Sequence, residues 1–213
     1  MKWAHAGLAL VATVAVGACQ TDPNAARPVA GGVAAAGSVA AAPQGFQCPP
    51  AGTRITFGTG VRVHRGSDPS DPFVCLATGA NGRDERFLGN LVLLPTSDDV
   101  AHRRALAQLL PPTPGKTVDF TYASVNAQGA TFTSRWTYRV AGSRTMTIAG
   151  TDREVILIER DMQNPNWTGY FATWTFYYDP ASRSILGGDI RVLRGEDRST
   201  NWRASGVELP RGT

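Results

Sequence analysis

The sequence is poor in the residues and motifs from which most enzyme active sites are built. Only three histidines occur among its 213 residues. It contains no G-x-S-x-G nucleophile elbow, no H-E-x-x-H zinc motif and no phosphate-binding loop. The sequence therefore gives no positive reason to expect a serine hydrolase, a zinc protease or a nucleotide hydrolase, and we expect a protein that is not an enzyme.

Long hydrophobic runs are also scarce, and the first one is short. Lys2 precedes an apolar stretch at residues 6–16, which is shorter than the roughly 20 residues that a membrane-spanning helix needs. Such a stretch is typical of a secretory signal peptide. The residues that end it, Val16-Gly17-Ala18-Cys19, resemble the lipobox of bacterial lipoproteins. The resemblance implies cleavage before Cys19 and its acylation with a diacylglyceryl group and usually an amide-linked chain; the alternative is an ordinary signal with an incidental cysteine.

The residues after Cys19 predict where the chain is held and how it is divided. Gln20 stands where an aspartate would favour the inner membrane in the enteric pattern, so we expect an anchor in the outer membrane, facing the periplasm. Residues 21–44 are mostly Ala, Gly, Val, Pro and Ser without an amphipathic period, which is typical of a flexible tether. We divide the chain into a signal peptide (1–18), a lipid-anchored linker (19–45) and one domain (46–213), which is long enough for one core.

Lysine is almost absent, because 19 of the 21 basic residues are arginine. These arginines are scattered through every segment and are balanced by 17 acidic residues. A scattered distribution favours a solvated surface over a basic patch, and an exported protein has little chance of meeting nucleic acid. We therefore expect no nucleic-acid partner, and a membrane contact through the lipid anchor.

Cysteine is rare too, and Cys48 and Cys75 remain once Cys19 is assigned to lipid. Export would place them in an oxidising compartment. Their spacing from the histidines fits no metal motif, so the pattern favours a disulfide, with zinc as the weaker alternative. We predict no metal site and no cofactor.

What the sequence has in abundance is apolar alternation with a period of two. In residues 132–140, Trp136 and Tyr138 share one face and Arg135 and Arg139 share the other; residues 170–178 place Trp174, Phe176 and Tyr178 in the same phase. Such alternation predicts strands with one buried face. Residues 154–159 are apolar on both faces and predict a central strand. Short turn signals, among them Gly142-Ser143, favour antiparallel neighbours over βαβ crossovers.

One segment, about residues 98–110, breaks this period. Ser97 is a candidate N-cap, Asp98 and Asp99 stand in the first turn, and two prolines follow Leu110, which together predict a single short helix. We therefore predict a mainly β fold of nine to eleven strands: an antiparallel meander forming a curved sheet, sandwich or barrel, with the helix packed on the sheet or closing one end of a barrel.

The later strands carry a weak second resemblance. Residues 109–191, with a Pro-Gly-Lys turn before a strand and an aromatic strand ending at Asp179-Pro180, are similar to small exported bacterial β domains of unassigned function. This resemblance brings no catalytic residues with it.

The candidate functional residues are few. Trp136, Tyr138, Trp174, Phe176 and Tyr178 are candidates for either the core or the lining of a ligand pocket. Arg135 and Arg139 are candidates for contact with anionic groups. The two histidines outside the signal peptide, His64 and His102, are expected on the surface, the second on the exposed side of the helix.

Three hypotheses follow from this sequence. The first is a non-catalytic envelope lipoprotein that acts by binding or assembly, with an envelope protein as its partner. The second is a carrier or sensor of an apolar or lipid ligand, which requires a cavity of at least about 300 Å³. The third is an envelope hydrolase, which requires His64 or His102 in a cleft beside a carboxylate or hydroxyl.

Overall fold

The computed structural model describes residues 42–95, 99–125, 129–164, 170–195 and 198–211. The predicted signal peptide, Cys19 and all but the last few residues of the predicted linker lie outside these ranges, as does the candidate N-cap Ser97. The described elements are eleven strands and one helix: β1 (Arg54–Phe57), β2 (Gly60–Asp68), β3 (Asp71–Thr78), β4 (Asp84–Leu88), β5 (Val92–Leu93), α1 (Asp99–Leu109), β6 (Thr117–Val125), β7 (Thr131–Ile148), β8 (Thr151–Gln163), β9 (Phe171–Asp179), β10 (Ser184–Arg194) and β11 (Thr200–Glu208).

The strands form one antiparallel sheet in the order β5-β4-β3-β2-β1-β11-β10-β9-β8-β7-β6. The sheet is curved and open, with β5 and β6 at its edges. Strand β1 pairs with both β2 and β11, so the first and last strands of the chain are neighbours in the middle of the sheet. The mainly β antiparallel prediction is confirmed, and the curved sheet is the one of its three forms that the molecule adopts.

The two faces of the sheet bury separate apolar clusters. Ile158 and Phe176 belong to the larger cluster, which includes residues of α1, whereas Val155 and Tyr177 belong to a second, smaller cluster. Neighbouring residues of a strand point to opposite faces, which explains why residues 154–159 are apolar without alternation. We call the side that contains the larger cluster the helix-covered face and the other side the opposite face.

Helix α1 packs on the sheet, which was one of its two predicted positions; the other was at one end of a barrel. Ala105, Leu106 and Leu109 are buried in the larger cluster, together with Leu88 from one end of the sheet and Val118 from the other. The helix therefore joins the two ends of the curved sheet through one core. No helix among the described residues has the length and apolar character to cross a bilayer.

The hairpin of β7 and β8 corrects one predicted turn. The chain reverses at Ala149-Gly150, where φ is 50° and 76°, and positive φ at two successive residues is the requirement of the tight hairpin turn that suits twisted strands. Gly142, predicted with Ser143 as a turn, lies inside β7, where the register with β8 shifts. Gly142 therefore accompanies a shift in strand register, as a glycine inside a strand often does, and not a reversal of the chain.

The segment before β1 is attached to the sheet at two points. Cys48 forms the predicted disulfide with Cys75 of β3 across 27 residues, and both cysteines are buried. Two residues earlier, the ring of Phe46 packs edge-on against Phe73, with 5.0 Å between the ring centroids. The folded domain therefore begins before its first strand.

Candidate functional site: a buried arginine among aromatic rings

The five sequence-predicted aromatics all lie on the helix-covered face. Trp136, Tyr138 and Phe176 are buried in the larger cluster, and Trp174 and Tyr178 are half-buried against it. Antiparallel pairing brings them together because β8 lies between β7 and β9. The five residues, which have the same alternation phase in the sequence, therefore lie on the same face of the sheet.

Arg160 lies at the centre of this group. Its cross-strand neighbours are Tyr138 on β7 and Trp174 on β9, so its side chain emerges on the helix-covered face. The guanidinium carbon lies 4.5 Å from the ring centroid of Trp136, 4.2 Å from that of Trp174 and 5.4 Å from that of Phe176. Only 8% of the residue is exposed. The permanently charged guanidinium is thus buried against three aromatic rings.

The polar atoms around Arg160 lack hydrogen-bond partners among the described residues. Buried atoms without a partner include Nε of Arg160 itself and the indole nitrogens of Trp136 and Trp174. Each of these three atoms is a donor that cannot accept. Most buried polar groups in proteins are hydrogen-bonded, so several unpaired donors in one place mark this cluster as unusual.

The Tyr138 hydroxyl is the remaining polar group of the cluster. Burial raises the pKa of this hydroxyl, and the positive charge of Arg160 opposes that rise. Among the described residues, the hydroxyl meets strict hydrogen-bond geometry with no partner, but its oxygen lies close enough to Arg160 to accept a weaker hydrogen bond from the guanidinium. It stays protonated at neutral pH, so its O–H can donate to a further group while its oxygen accepts from the guanidinium.

His102 lies inside the molecule and not on its surface, contrary to the prediction. It is 1% exposed, and its ring packs edge-on against Phe120, Tyr122 and Trp136 at centroid distances of 5.3, 4.8 and 5.0 Å. The prediction was wrong because the charged neighbour Arg103 was taken as a sign that this side of α1 is exposed to solvent. Arg103 instead forms an ion pair with Asp71 of β3, which leaves His102 to face β6 and β7.

His64 was also expected on the surface and is 3% exposed. Its Nε2 lies 3.4 Å from the Ser184 hydroxyl, and its Nδ1 has no hydrogen-bond partner. Desolvation by burial, with a smaller contribution from the charge of Arg62, lowers the pKa of His64 to about 4. A histidine with that pKa is a weak general base at neutral pH, because proton transfer is most efficient when the pKa lies near the working pH.

Three cavities among the described residues border the sheet, and the lining of one includes Trp202, whose ring lies 6.3 Å from that of Phe176. The largest of them, about 580 Å³, lies between Phe57 and Trp202 beside Arg62 and Arg203. Those two arginines are engaged by Glu85 and Asp189, at 2.8 and 2.7 Å. The others, of about 370 and 330 Å³, lie beside Asp179 and beside Glu85. Neither histidine and none of the five aromatics lines any of the three.

The arginines proposed from the sequence as anion contacts are paired within the protein. Arg139 contacts Glu159 at 2.6 Å and Asp161 at 3.6 Å, and Arg135 contacts Asp119 at 3.7 Å. These side chains are on the opposite face, where Glu159 and Asp161 lie because they flank Arg160 in β8. The sequence analysis did not select Arg160, which is buried and forms no ion pair with a described carboxylate.

A signal for Arg160 is present in the sequence. It stands in β8 in phase with Ile156, Ile158 and Met162, all of which pack in or against the larger cluster. An arginine at an inward position of an alternating strand predicts either a buried ion pair or a ligand contact. Arg160 could therefore have been identified from the sequence, because it has the same alternation phase as the buried residues of its strand.

Comparisons with known proteins identify no family for this chain. No family model matches it, and no curated protein matches it. Among solved structures, it is similar to the hypothetical lipoprotein YmcC from Escherichia coli (K12), at 14% sequence identity and a TM-score of 0.44, over 74% of this chain and 84% of that chain.

Proposed function

We propose that this protein is a lipid-anchored lipoprotein of the bacterial cell envelope whose β domain acts by binding and not by catalysis. The observation that carries the binding role is Arg160, a buried cation that pairs with no carboxylate among the described residues, on a face rich in aromatic rings. Proteins retain buried unpaired charge at a cost to stability, and a binding site is a common reason for keeping it.

The anchor is supported by the sequence before the described residues. Val16-Gly17-Ala18-Cys19 has the pattern of a lipobox, and the residues that follow have the composition of a tether. A diacylglyceryl group with a further acyl chain would hold the protein stably, since two or more chains are needed for durable anchoring. With Gln20 after the cysteine, the proposed location is the periplasmic face of the outer membrane.

The non-catalytic role is supported by the state of the histidines. His64 is buried with a pKa of about 4, and His102 is enclosed by aromatic rings. Neither lines a described cavity. The requirements of the hydrolase hypothesis, a histidine in a cleft beside a carboxylate or hydroxyl, are met only by the Ser184 hydroxyl near His64, where solvent and substrate have no described access.

The proposal is tested with the full chain and its Cys19→Ala variant, both expressed with the native signal. Wild type should fractionate with the outer membrane and carry the mass of the acyl chains, while the variant should be free of acyl mass and leave the membrane. The variant, purified without detergent, is then examined by native mass spectrometry for a bound molecule that is lost on denaturation. A bare chain that also captures no envelope protein on cross-linking would contradict the binding role, and a membrane-bound variant would contradict the anchor.

A further inference from the structure

We propose that Arg160 binds an oxyanion, a carboxylate or a phosphate, carried by an amphiphilic ligand whose apolar part lies against the aromatic rings of the helix-covered face. This inference rests on the proposed binding function and specifies its ligand. It assigns Arg160 as the residue that contacts the charged group and Trp136 and Trp174 as residues that contact the ligand beside it.

The first argument is that Arg160 lacks a counterion among the described residues. Every carboxylate whose side chain is described is engaged by another residue. These carboxylates are Asp68, Asp71, Asp84, Glu85, Asp119, Asp152, Glu154, Glu159, Asp161, Asp179, Asp189 and Glu208. The guanidinium of arginine is always charged in proteins. No described carboxylate therefore neutralises Arg160, whose charge is compensated within this set only by aromatic rings.

The second argument is the imbalance of donors and acceptors. Nε of Arg160 and the indole nitrogens of Trp136 and Trp174 are donors only, and all three lack a partner among the described residues. The adjacent hydroxyl of Tyr138 can donate as well. The Tyr138 oxygen is the one acceptor beside these three donor-only atoms. This excess of donors is complementary to a guest that is all acceptor, as the oxygens of a carboxylate or phosphate are. The planar fork of arginine pairs with such groups through two parallel hydrogen bonds.

The third argument is the apolar surrounding of the charge. The guanidinium lies over three aromatic rings, and half-buried Met162, Phe120 and Tyr122 continue the same face around it. A small hydrated anion gains little from such a surface, whereas an alkyl or aromatic group attached to the anion would bury area there. The site therefore favours an oxyanion that is joined to an apolar part.

The experiment measures ligand binding by the full-length lipidated protein in a neutral maltoside detergent, followed by the fluorescence of its tryptophans. The probes are decyl phosphate, decanoate, the uncharged analogue decanol, and inorganic phosphate. The variants are Arg160→Gln, which removes the charge, and Arg160→Lys, which keeps the charge but loses the planar fork. Arg139→Gln serves as the matched control, since it removes an arginine that is half-exposed and paired on the opposite face.

Wild type and Arg139→Gln should bind decyl phosphate or decanoate at least tenfold more tightly than decanol. Arg160→Gln should lose that preference for the anion, and Arg160→Lys should retain part of it. Binding of inorganic phosphate in competition would identify a free anion as one source of the charge, while binding of the alkyl forms alone would identify a lipid-like source; either result supports the oxyanion.

Equal binding by wild type and Arg160→Gln, or no anion preference in wild type, would overturn the inference. If Arg160→Gln fails to fold, Arg160→Lys decides, because an unchanged anion affinity in a folded lysine variant would contradict the bidentate contact. If mass spectrometry found an uncharged bound molecule, the oxyanion inference would fail but the proposed binding function would stand. If it found no ligand and cross-linking found no partner, the proposed function itself would fail.

Discussion

Acidification should destabilise this domain in a window that His64 sets. The imidazole is buried on β2 with the charge of Arg62 nearby, and its folded-state pKa is about 4 against an ordinary value of 6.5. The folded state therefore keeps His64 neutral, while the unfolded state takes up a proton as the pH falls below 6.5. Because the unfolded chain binds more protons in this range, stability is full above pH 6.5 and is lost as the pH falls toward 4.

The size of this loss follows from the two pKa values of His64. Their difference corresponds to about 3 kcal/mol once the pH is below both. Between pH 7.0 and 4.5, the linkage relation gives a loss of about 2.4 kcal/mol, of which about 1.2 kcal/mol falls above pH 5.5. Most carboxylates titrate below this upper part of the window, so the loss above pH 5.5 is the more specific sign of a buried histidine.

The assay is urea unfolding of the wild type and of His64→Gln at pH 7.0, 5.5 and 4.5. His64→Gln is less stable at neutral pH because the cavity is refilled imperfectly, but its free energy of unfolding should fall about 2 kcal/mol less than that of wild type between pH 7.0 and 4.5. Ser184→Ala keeps the imidazole and should retain the wild-type pH dependence. If His64→Gln and wild type lost the same free energy over this window, the reasoning would be refuted.

Three further predictions concern stability alone. Replacing Cys48 and Cys75 by serine should cost about 3.5 kcal/mol, from the entropy of a 27-residue loop, when unfolding of the variant is compared with that of the oxidised wild type; an unchanged urea midpoint would contradict it. Asp179→Asn should cost about 3 kcal/mol, because Asp179 is 1% exposed and its ion pair with Arg153 at 3.0 Å would be broken; guanidinium unfolding measures the loss. Gly188→Ala would place a Cβ 2.3 Å from the indole of Trp202 and 2.7 Å from the backbone oxygen of Thr175, so the melting temperature should fall by an amount equivalent to about 1–3 kcal/mol; an unaltered melting curve would contradict this steric argument.

The strands and their inward residues could be predicted because alternation is a local property. The phase of Trp136 and Trp174 was read from a few residues on either side, and the bounds of α1 followed from acids before it and prolines after it. The pairing of β1 with β11 could not be predicted in this way, since these strands are far apart in the chain and neither carries a mark of its partner.

The candidate site was predicted in part. The five aromatic residues share one face, as their phase indicated, and their role in a site stays a prediction. Arg160 was not selected, whereas Arg135 and Arg139, which are paired with carboxylates, were. Charge alone does not say which face of a strand is covered, because that depends on where α1 packs and on which carboxylates meet which arginines. His102 was misplaced for the same reason, since its burial depends on strands that follow it in the chain.

The pairing of β1 with β11 also has a consequence for the order in which the sheet can be completed. Strands β1–β5 and strands β6–β10 are each runs of neighbours that can pair as soon as their own residues are present. Within the sheet, the strand pairing that joins the two runs is made by β11, the last of the described strands in the chain. Closing a contact over so long a stretch of chain is slow, so we expect the pairing of β11 with β1 and β10 to be a late step in completing the sheet.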